Sequence, residues 1–198
     1  MTSGITYAGK VSIKIKGKPQ KRCSNNGTYV LLDFIGNCLI NAFARSFVDY
    51  TRQTPTYIDI LLEAAQGDTQ GTTSELLEAN PNCYAISQPN DQPPLRNYSV
   101  LRAPVLIEDK KLQHPDETHV TTEVVFTALV NTSNVNDTIL DHLDSTTHNL
   151  FVCLVDAQQE NILAFAEIEA DPIKSLPSDV FGQATVDWTM EIGNKELN

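Results

Sequence analysis

Apolar and polar residues alternate over several stretches of this chain, a period of two that is typical of β-strands with one buried face. The first stretch has apolar residues at Val11, Ile13 and Ile15, with polar residues between them. Residues 20–23 are expected to return beside it as a short antiparallel strand. The range 138–143 is predicted to be a short strand or a single turn. Further strands are predicted over residues 57–62, 98–107, 118–130, 149–156, 162–169 and 183–192.

The clearest hairpin joins residues 149–156 to residues 162–169 through the polar turn 157–161. Apolar residues occupy both alternating faces of the first of these strands. A strand that is apolar on both faces belongs in the interior of a sheet, so we expect this strand to be central.

One segment has the spacing of an amphipathic helix, with apolar residues every three or four positions from Leu31 to Ala42. Thr28 precedes them and is expected to cap the helix with its hydroxyl. We therefore predict a helix at about residues 28–46 that packs on the sheet. The predicted fold class is mainly β: an antiparallel β-sandwich of seven or eight strands with one packed α-helix.

The 198 residues, 41% hydrophobic and 20% charged, are expected to form a single domain. Residues 65–97 form a long polar excursion, in which 74–78 could be a helical turn and 83–86 a short strand. Excursions of this length are often interaction arms. The longest apolar run, residues 150–155, is far shorter than the roughly 20 residues of a membrane span. The first ten residues lack the apolar region of a secretory signal, so we expect a soluble protein made in a cytoplasm.

Charge is distributed unevenly along the chain. The net charge of −11 argues against nucleic acid as a partner, because phosphate contact needs clustered lysine and arginine. Residues 1–32 nevertheless carry +6, and the remainder carries −17. This basic segment is either the solvated face of a strand or an edge that meets the acidic surface of a neighbouring copy. The interface residues predicted on this basis are those of the basic edge and of one proline loop: Lys14, Lys16, Lys18, Pro93 and Pro94.

No catalytic, cofactor-binding or metal-binding motif is found in the sequence, and neither an enzyme nor a cofactor is expected. The cysteines at positions 23, 38, 83 and 153 lack zinc-site spacing and are predicted to be free thiols. Glu167 and Glu169 share a strand face, where such pairs are usually solvated. Four residues form the strongest metal-like cluster, although their spacing matches no known type of site: Asp141, His142, Asp144 and His148.

Two stretches together resemble a known class of proteins. The first is Lys-Ile-Lys-Gly-Lys at 14–18, followed by Asn-Asn-Gly-Thr at 25–28 and the apolar helix. The second is the hairpin at 154–164 together with the final strand around Trp188. They are similar to small virion structural proteins of tailed bacteriophages, including the crAss-like gut phages. The turn after Asp156 departs from this pattern, since Gln-Gln-Glu stands where a glycine turn is more usual.

This resemblance implies a non-enzymatic subunit that is present in many copies. Its place would be the head shell, as an auxiliary or decoration protein, or the neck or tail. Its partners would be other copies and other virion proteins, such as the major capsid protein, and it would reside in the virion after synthesis in the host cytoplasm.

Two other function classes remain open from the residues alone. A carbohydrate- or ligand-binding β-sandwich would use aromatic rings for stacking, for which Tyr84, Tyr98 and Trp188 are available. Trp188 alternates with polar residues along its strand and is more simply a core residue. An enzyme built around His142 and His148 ranks last.

Overall fold

The computed structural model describes residues 3–15, 21–24, 26–31, 55–64, 71–113, 121–130, 149–169 and 184–196, and nine β-strands account for most of these described residues. The strands are β1 (Ser3–Ile15), β2 (Lys21–Ser24), β3 (Asn26–Gly27), β4 (Pro55–Leu62), β5 (Ser99–Gln113), β6 (Thr121–Val130), β7 (Asn149–Asp156), β8 (Ile162–Glu169) and β9 (Ala184–Glu196). The helical elements are α1 (Ser74–Ala79), two 3-10 turns at Pro89–Asp91 and Leu95–Tyr98, and the helical residues 29–31.

All nine strands belong to one antiparallel sheet in the order β2-β1-β9-β6-β5-β4-β7-β8-β3. The two strands at the ends of this order, β2 and β3, are separated by a single residue in the chain. The sheet must therefore curl until its ends approach one another, and it has the form of a half-barrel.

Strand β5 joins the two halves of the curled sheet, because its two ends pair with different strands. Its first residues, from Ser99 to Pro104, pair with β4, whereas its later residues, from Val105 to Gln113, pair with β6. The register shifts between Val105 and Ile107. A bulge bends a strand and increases its local twist, which explains why one strand can serve both halves of the sheet.

The interior of the curl is filled by apolar side chains from both halves of the sheet. Trp188 and Phe126 come from β9 and β6, and they share one core cluster with Ile60 of β4 and Val152 of β7. Trp188 is 0% exposed, which confirms its interpretation as a core residue. This cluster explains the alternation in β9, because Val186 and Met190 are buried beside Trp188 while the residues between them are half-buried.

Several strand predictions are confirmed. The hairpin has the predicted bounds, and β7 lies between β4 and β8 with apolar side chains buried on both faces. The short returning strand at 20–23 is β2, and a mainly antiparallel β fold is confirmed. The strands are continuous in one sheet, so two separate sandwich layers stay a prediction. Residues 138–143 lie outside the described residues.

Two local predictions need correction. Residues 83–86 are irregular, with bends at 84–86 instead of a strand, because the amide of Tyr84 bonds to the carbonyl of Glu160 and not to a strand ladder. The Thr28 hydroxyl lies 2.8 Å from the carbonyls of both Ile162 and Leu163, so it ties the chain to β8 and does not cap the helix. Residues 29–31 are helical, and the rest of the predicted helix, 32–46, lies outside the described residues.

Candidate functional site

Residues 71–98, here called the cover segment, lie against the outer face of β4, β7 and β8. Their apolar side chains Leu77, Tyr84 and Leu95 are fully buried. They form a second core cluster with six residues of these strands: Leu61, Phe151, Cys153, Val155, Ile162 and Phe165. Each large side chain buried in this way stabilises the fold by roughly 1.5–3 kcal/mol. The part of the predicted excursion that the structure describes is therefore built into the fold and does not form a free arm.

Backbone hydrogen bonds hold the cover segment at its start and again at Pro81. At its start, the amide of Thr72 bonds to the carbonyl of Leu62, and the carbonyl of Thr72 accepts from the amide of Ala64, at 2.9 and 2.7 Å. Further along, the amide of Ile162 bonds to the carbonyl of Pro81 at 2.8 Å. The segment is thus attached both to the end of β4 and to the turn end of the β7–β8 hairpin.

A polar cluster around Asp59 lies beneath the cover segment. Asp59 of β4 is 0% exposed, and the hydroxyl of Tyr84 donates a hydrogen bond to its Oδ2. The hydroxyl of Ser99 donates to Oδ1 at 2.6 Å. Arg102 Nε donates to Oδ2 at 3.2 Å, which makes an ion pair with a partly exposed arginine. Three different elements therefore meet at one carboxyl group.

Strand register explains why these residues meet. Asp59 pairs with Arg102 on β5 and with Cys153 on β7, so the three residues form a row across the sheet. Ser99 is paired with Leu61, two residues further along β4, and directly opposed or diagonal neighbours on one face are within reach. Only Tyr84 comes from outside the sheet, and it brings the cover segment into the cluster.

Arg102 extends the cluster to the surface. Its Nη1 donates to Gln159 Oε1 at 3.0 Å, at the tip of the β7–β8 hairpin. Its guanidinium carbon lies 5.2 Å from the centre of the Tyr84 ring, within range of a cation–π contact. Arg102 therefore joins the hairpin tip, the cover segment and the buried carboxyl group.

Burial dominates the electrostatics of this cluster. Desolvation raises the pKa of Asp59, while the charge of Arg102 and the hydrogen bonds from Ser99, Tyr84 and Arg102 act to lower it. Desolvation and the nearby Asp59 also raise the pKa of the Tyr84 hydroxyl and of the Cys153 thiol. Tyr84 and Cys153 thus remain protonated at neutral pH, and Cys153 is not an activated thiolate.

The chemistry of this arrangement is that of a structural clamp. The carboxyl group is shielded from solvent, and its three donors come from the same chain. Removing one of these donors leaves the buried carboxyl group without its full set of hydrogen-bond partners, which destabilises the fold. The cluster therefore fixes the cover segment on the sheet, and Asp59 becomes reachable by another molecule only if that segment moves.

The structure describes only part of the predicted interface residues. Lys14 lies in β1, while Lys16 and Lys18 lie outside the described residues. Pro93 is exposed and Pro94 is half-buried, just before the 3-10 turn at Leu95–Tyr98. The carbonyl of Pro93 accepts a hydrogen bond from Gln88 Nε2 at 2.8 Å, which closes the exposed loop between them.

The other candidates from the sequence have mixed outcomes. Asp141, His142, Asp144 and His148 lie outside the described residues. Glu167 is exposed and accepts from Asn149 Nδ2 at 3.1 Å, while the side chain of Glu169 is not described. Within the described ranges, no group of three or more potential ligands could hold a metal ion. In the same ranges, Cys83 and Cys153 are free and buried, and no helix is long and apolar enough to span a membrane.

The sequence did contain one overlooked signal of the Asp59 cluster. Asp59 is the single charged residue in the otherwise apolar run Ile-Asp-Ile-Leu-Leu at 58–62. A carboxyl group on a buried strand requires partners, so this position alone predicts a buried polar network. The identity of the partners could not be read in the same way, because Tyr84 and Arg102 are 25 and 43 positions away.

Comparison with known proteins does not identify a family. No family model, curated protein or solved structure matches the chain significantly. The function must therefore be argued from the residues and the fold.

Proposed function

We propose that this chain is a non-enzymatic structural subunit of a tailed-phage particle, in the first instance an auxiliary or decoration protein of the capsid. The observation that carries the proposal is the charge separation between residues 1–32, with +6, and the remainder, with −17. Charge separated in this way favours ordered contact between copies, because opposite surfaces attract and like surfaces repel.

The fold gathers the basic positions at one end of the sheet. Lys10 and Lys14 lie in β1, and Lys21 and Arg22 lie in β2, which are the first two strands in the sheet order. The register pairs Ser12 with Arg22 and Ile13 with Lys21, so the basic positions are close to each other. These positions belong to the basic edge of the molecule, to which the sequence adds Lys16 and Lys18 directly after β1.

The cover segment supplies an acidic surface elsewhere on the molecule. Glu75, Glu78 and Asp91 are exposed on it, against one exposed base, Arg96. The predicted interface loop at Pro93 adjoins Asp91 on this surface. A contact between the basic edge of one copy and the cover segment of another would pair complementary charges and would weaken with rising ionic strength.

The fold that we propose in detail is a two-layer β-sandwich. Strands β1, β9 and β6 would form most of one layer and β4, β7 and β8 most of the other, with β5 crossing between them. The support for this arrangement is the shared core, in which Trp188 from the first group packs in one cluster with Ile60 and Val152 from the second.

Burial argues against the carbohydrate-binding alternative in its predicted form. Tyr84 and Trp188 are both 0% exposed, so neither can offer a ring face to a sugar. Of the three predicted stacking residues only Tyr98, which is half-buried, reaches solvent. No observation on the described residues favours this function over assembly.

Binding to virus particles tests the proposal. Particles produced without this chain are mixed with the recombinant protein and imaged by cryo-electron microscopy, which also distinguishes the head shell from the neck and tail. We expect density at regular positions, and we expect a variant with Lys14→Glu, Lys16→Glu and Lys18→Glu to lose it. A control variant with Lys110→Glu, Lys111→Glu and Lys174→Glu, at positions outside the basic edge and the cover segment, changes the net charge equally and should still bind. Absence of added density with the unmodified protein would contradict the proposal.

A further inference from the structure

The cover segment carries one large apolar side chain that is exposed to solvent. Ile86 is 61% exposed, although Tyr84, two residues before it, is fully buried against the sheet. Single exposed apolar residues are common on protein surfaces and carry no meaning by themselves. Ile86 differs because it begins the loop at residues 86–93, here called the outer loop, whose other exposed residues are all polar residues or prolines.

Hydrogen bonds within the outer loop hold it in one conformation. The amide of Gln88 bonds to the carbonyl of Gln92 at 2.9 Å, and Gln88 Nε2 bonds to the carbonyl of Pro93 at 2.8 Å. Gln88 is only 3% exposed, so its side chain anchors the loop from beneath. Prolines at 89 and 93 restrict the backbone further. A loop that is ordered before contact loses little conformational entropy when it binds.

Two consecutive residues in the middle of the outer loop have a strained backbone. Asn90 has a φ of 62° and Asp91 has a φ of 59°, both in the left-handed region. Residues other than glycine enter this region at an energetic cost, and such strain concentrates at contact and functional sites. Asparagine and aspartate are the non-glycine residues that tolerate it best. The chain thereby keeps the exposed carboxylate of Asp91 on a fixed turn.

We propose that the outer loop docks onto the basic edge of a second copy of this chain, with Ile86 as the apolar contact and the Asp91 carboxylate as the charged contact. The inference rests on the proposed assembly function and names the part of the cover segment that makes the contact. Because two different surfaces meet, each copy offers one outer loop and one basic edge. Contacts of this head-to-tail kind build rings or open chains of subunits.

The chemistry of the basic edge matches both contacts of the outer loop. Five of its six basic positions are lysines, and the sixth is Arg22. A lysine covers apolar surface with its aliphatic stem while its ammonium group stays in water. The same side chains can therefore pack on Ile86 and pair with Asp91. The outer loop contains one acid and no base, so it brings no repulsive charge to an edge that carries +6 over residues 1–32.

Sedimentation velocity of matched variants at low ionic strength tests the contact. The unmodified protein should self-associate, and the loop variant Ile86→Ser with Asp91→Asn should raise the dissociation constant about tenfold or more. Both positions are exposed and asparagine tolerates a left-handed backbone, so the fold is retained. The control Leu106→Ser with Glu167→Gln removes an equally exposed apolar side chain and the same charge elsewhere, and it should associate like the unmodified protein. A monomeric unmodified protein, or a loop variant no weaker than the control, would overturn the proposal.

Mixing two defective variants tests which surfaces meet. The loop variant retains its basic edge, whereas the edge variant Lys14→Glu, Lys16→Glu and Lys18→Glu retains its outer loop. Each should be monomeric alone, and the mixture should form a complex of two 21.9 kDa chains, because one variant supplies the edge and the other the loop. A mixture that stays monomeric would overturn the proposed pairing. That result is distinct from a failure of the unmodified protein to bind particles, which would contradict the proposed function itself.

Discussion

Asp59 lies in the sheet and Tyr84 lies in the cover segment, and the hydrogen bond between them joins the sheet to the segment that covers it. Asp59 lies on a central strand and is shielded from solvent on all sides. Tyr84 lies in a stretch of the chain that has no strand or helix of its own at that point. This side-chain contact thus connects a central strand of the sheet to a part of the cover segment that has no regular secondary structure.

Replacing Tyr84 by phenylalanine tests this contact. Tyr84→Phe keeps the ring but removes the hydroxyl, so Asp59 loses one donor while it stays buried. We expect the free energy of unfolding to fall by about 1–3 kcal/mol. Urea denaturation followed by circular dichroism measures it. Tyr98→Phe is the matched control and should change stability little, because Tyr98 is half-buried and is not part of the cluster. Equal losses in both variants would exclude a specific role of the Tyr84 hydroxyl.

The raised pKa of Asp59 predicts a specific pH dependence. In the unfolded chain this carboxyl group titrates near its ordinary value of 3.8, and in the folded protein it titrates higher. The stabilisation that the Asp59 carboxyl group contributes to the free energy of unfolding is therefore fully present below pH 3.8. It is lost as the pH rises through the pKa that Asp59 has in the folded protein. The difference in unfolding free energy between the unmodified protein and Asp59→Asn should shrink between pH 4 and pH 7.

Urea denaturation of both proteins across that pH range checks the sign. The groups that face Asp59 are Arg102, Tyr84, Ser99 and Cys153. Burial and the nearby Asp59 raise the pKa of the Tyr84 hydroxyl and of the Cys153 thiol, so neither of these two groups ionises in this interval. A difference that grows with pH would show that the ion pair with Arg102 outweighs the cost of burial.

Gly71 is required at the start of the cover segment. Its φ is +143°, and a Cβ atom there would lie 2.6 Å from the backbone nitrogen of Ala64. Gly71→Ala should therefore destabilise the protein by more than about 1 kcal/mol, because both the conformation and the space exclude a side chain. Thermal denaturation measures the loss. Ser87→Ala, at an exposed position of the same segment, should leave the melting temperature unchanged.

Two adjacent leucines in α1 differ in burial, so substituting each in turn distinguishes the loss of a buried contact from an effect on the helix itself. Leu77 is fully buried against the sheet, whereas Leu76 is half-buried. We expect Leu77→Ala to lower the free energy of unfolding by about 2–5 kcal/mol and Leu76→Ala to lower it much less. Labelling with a thiol reagent and mass spectrometry should show faster modification of Cys83 and Cys153 in Leu77→Ala only. Equal effects in both variants would mean that the cover segment is not anchored through Leu77.

The parts of the fold that could be predicted are those governed by local pattern. The β7–β8 hairpin was predicted with its observed bounds, because two apolar runs enclose a short polar turn and the first is apolar on both faces. Trp188 was predicted as core for a similar reason, since it alternates with polar residues along one strand. Such signals depend only on neighbouring residues.

The cover segment and its polar cluster could not be predicted in this way. Leu77, Tyr84 and Leu95 are isolated apolar residues in a polar stretch, so they show no period. Their burial is decided by the outer face of β4, β7 and β8, which the chain assembles from residues as far apart as Leu61 and Phe165. The strand predicted at 83–86 was wrong for the same reason, because the hairpin tip takes the hydrogen bond that a ladder would have used.

The pairing of β1 with β9 sets the order in which the protein can form. Ser3 is paired in register with Glu196, which lies 193 positions further along the chain. While the ribosome is still producing the chain, β1 has emerged but most of its ladder partners do not yet exist. Forming the β1–β9 ladder therefore requires closing a very long loop, which slows folding.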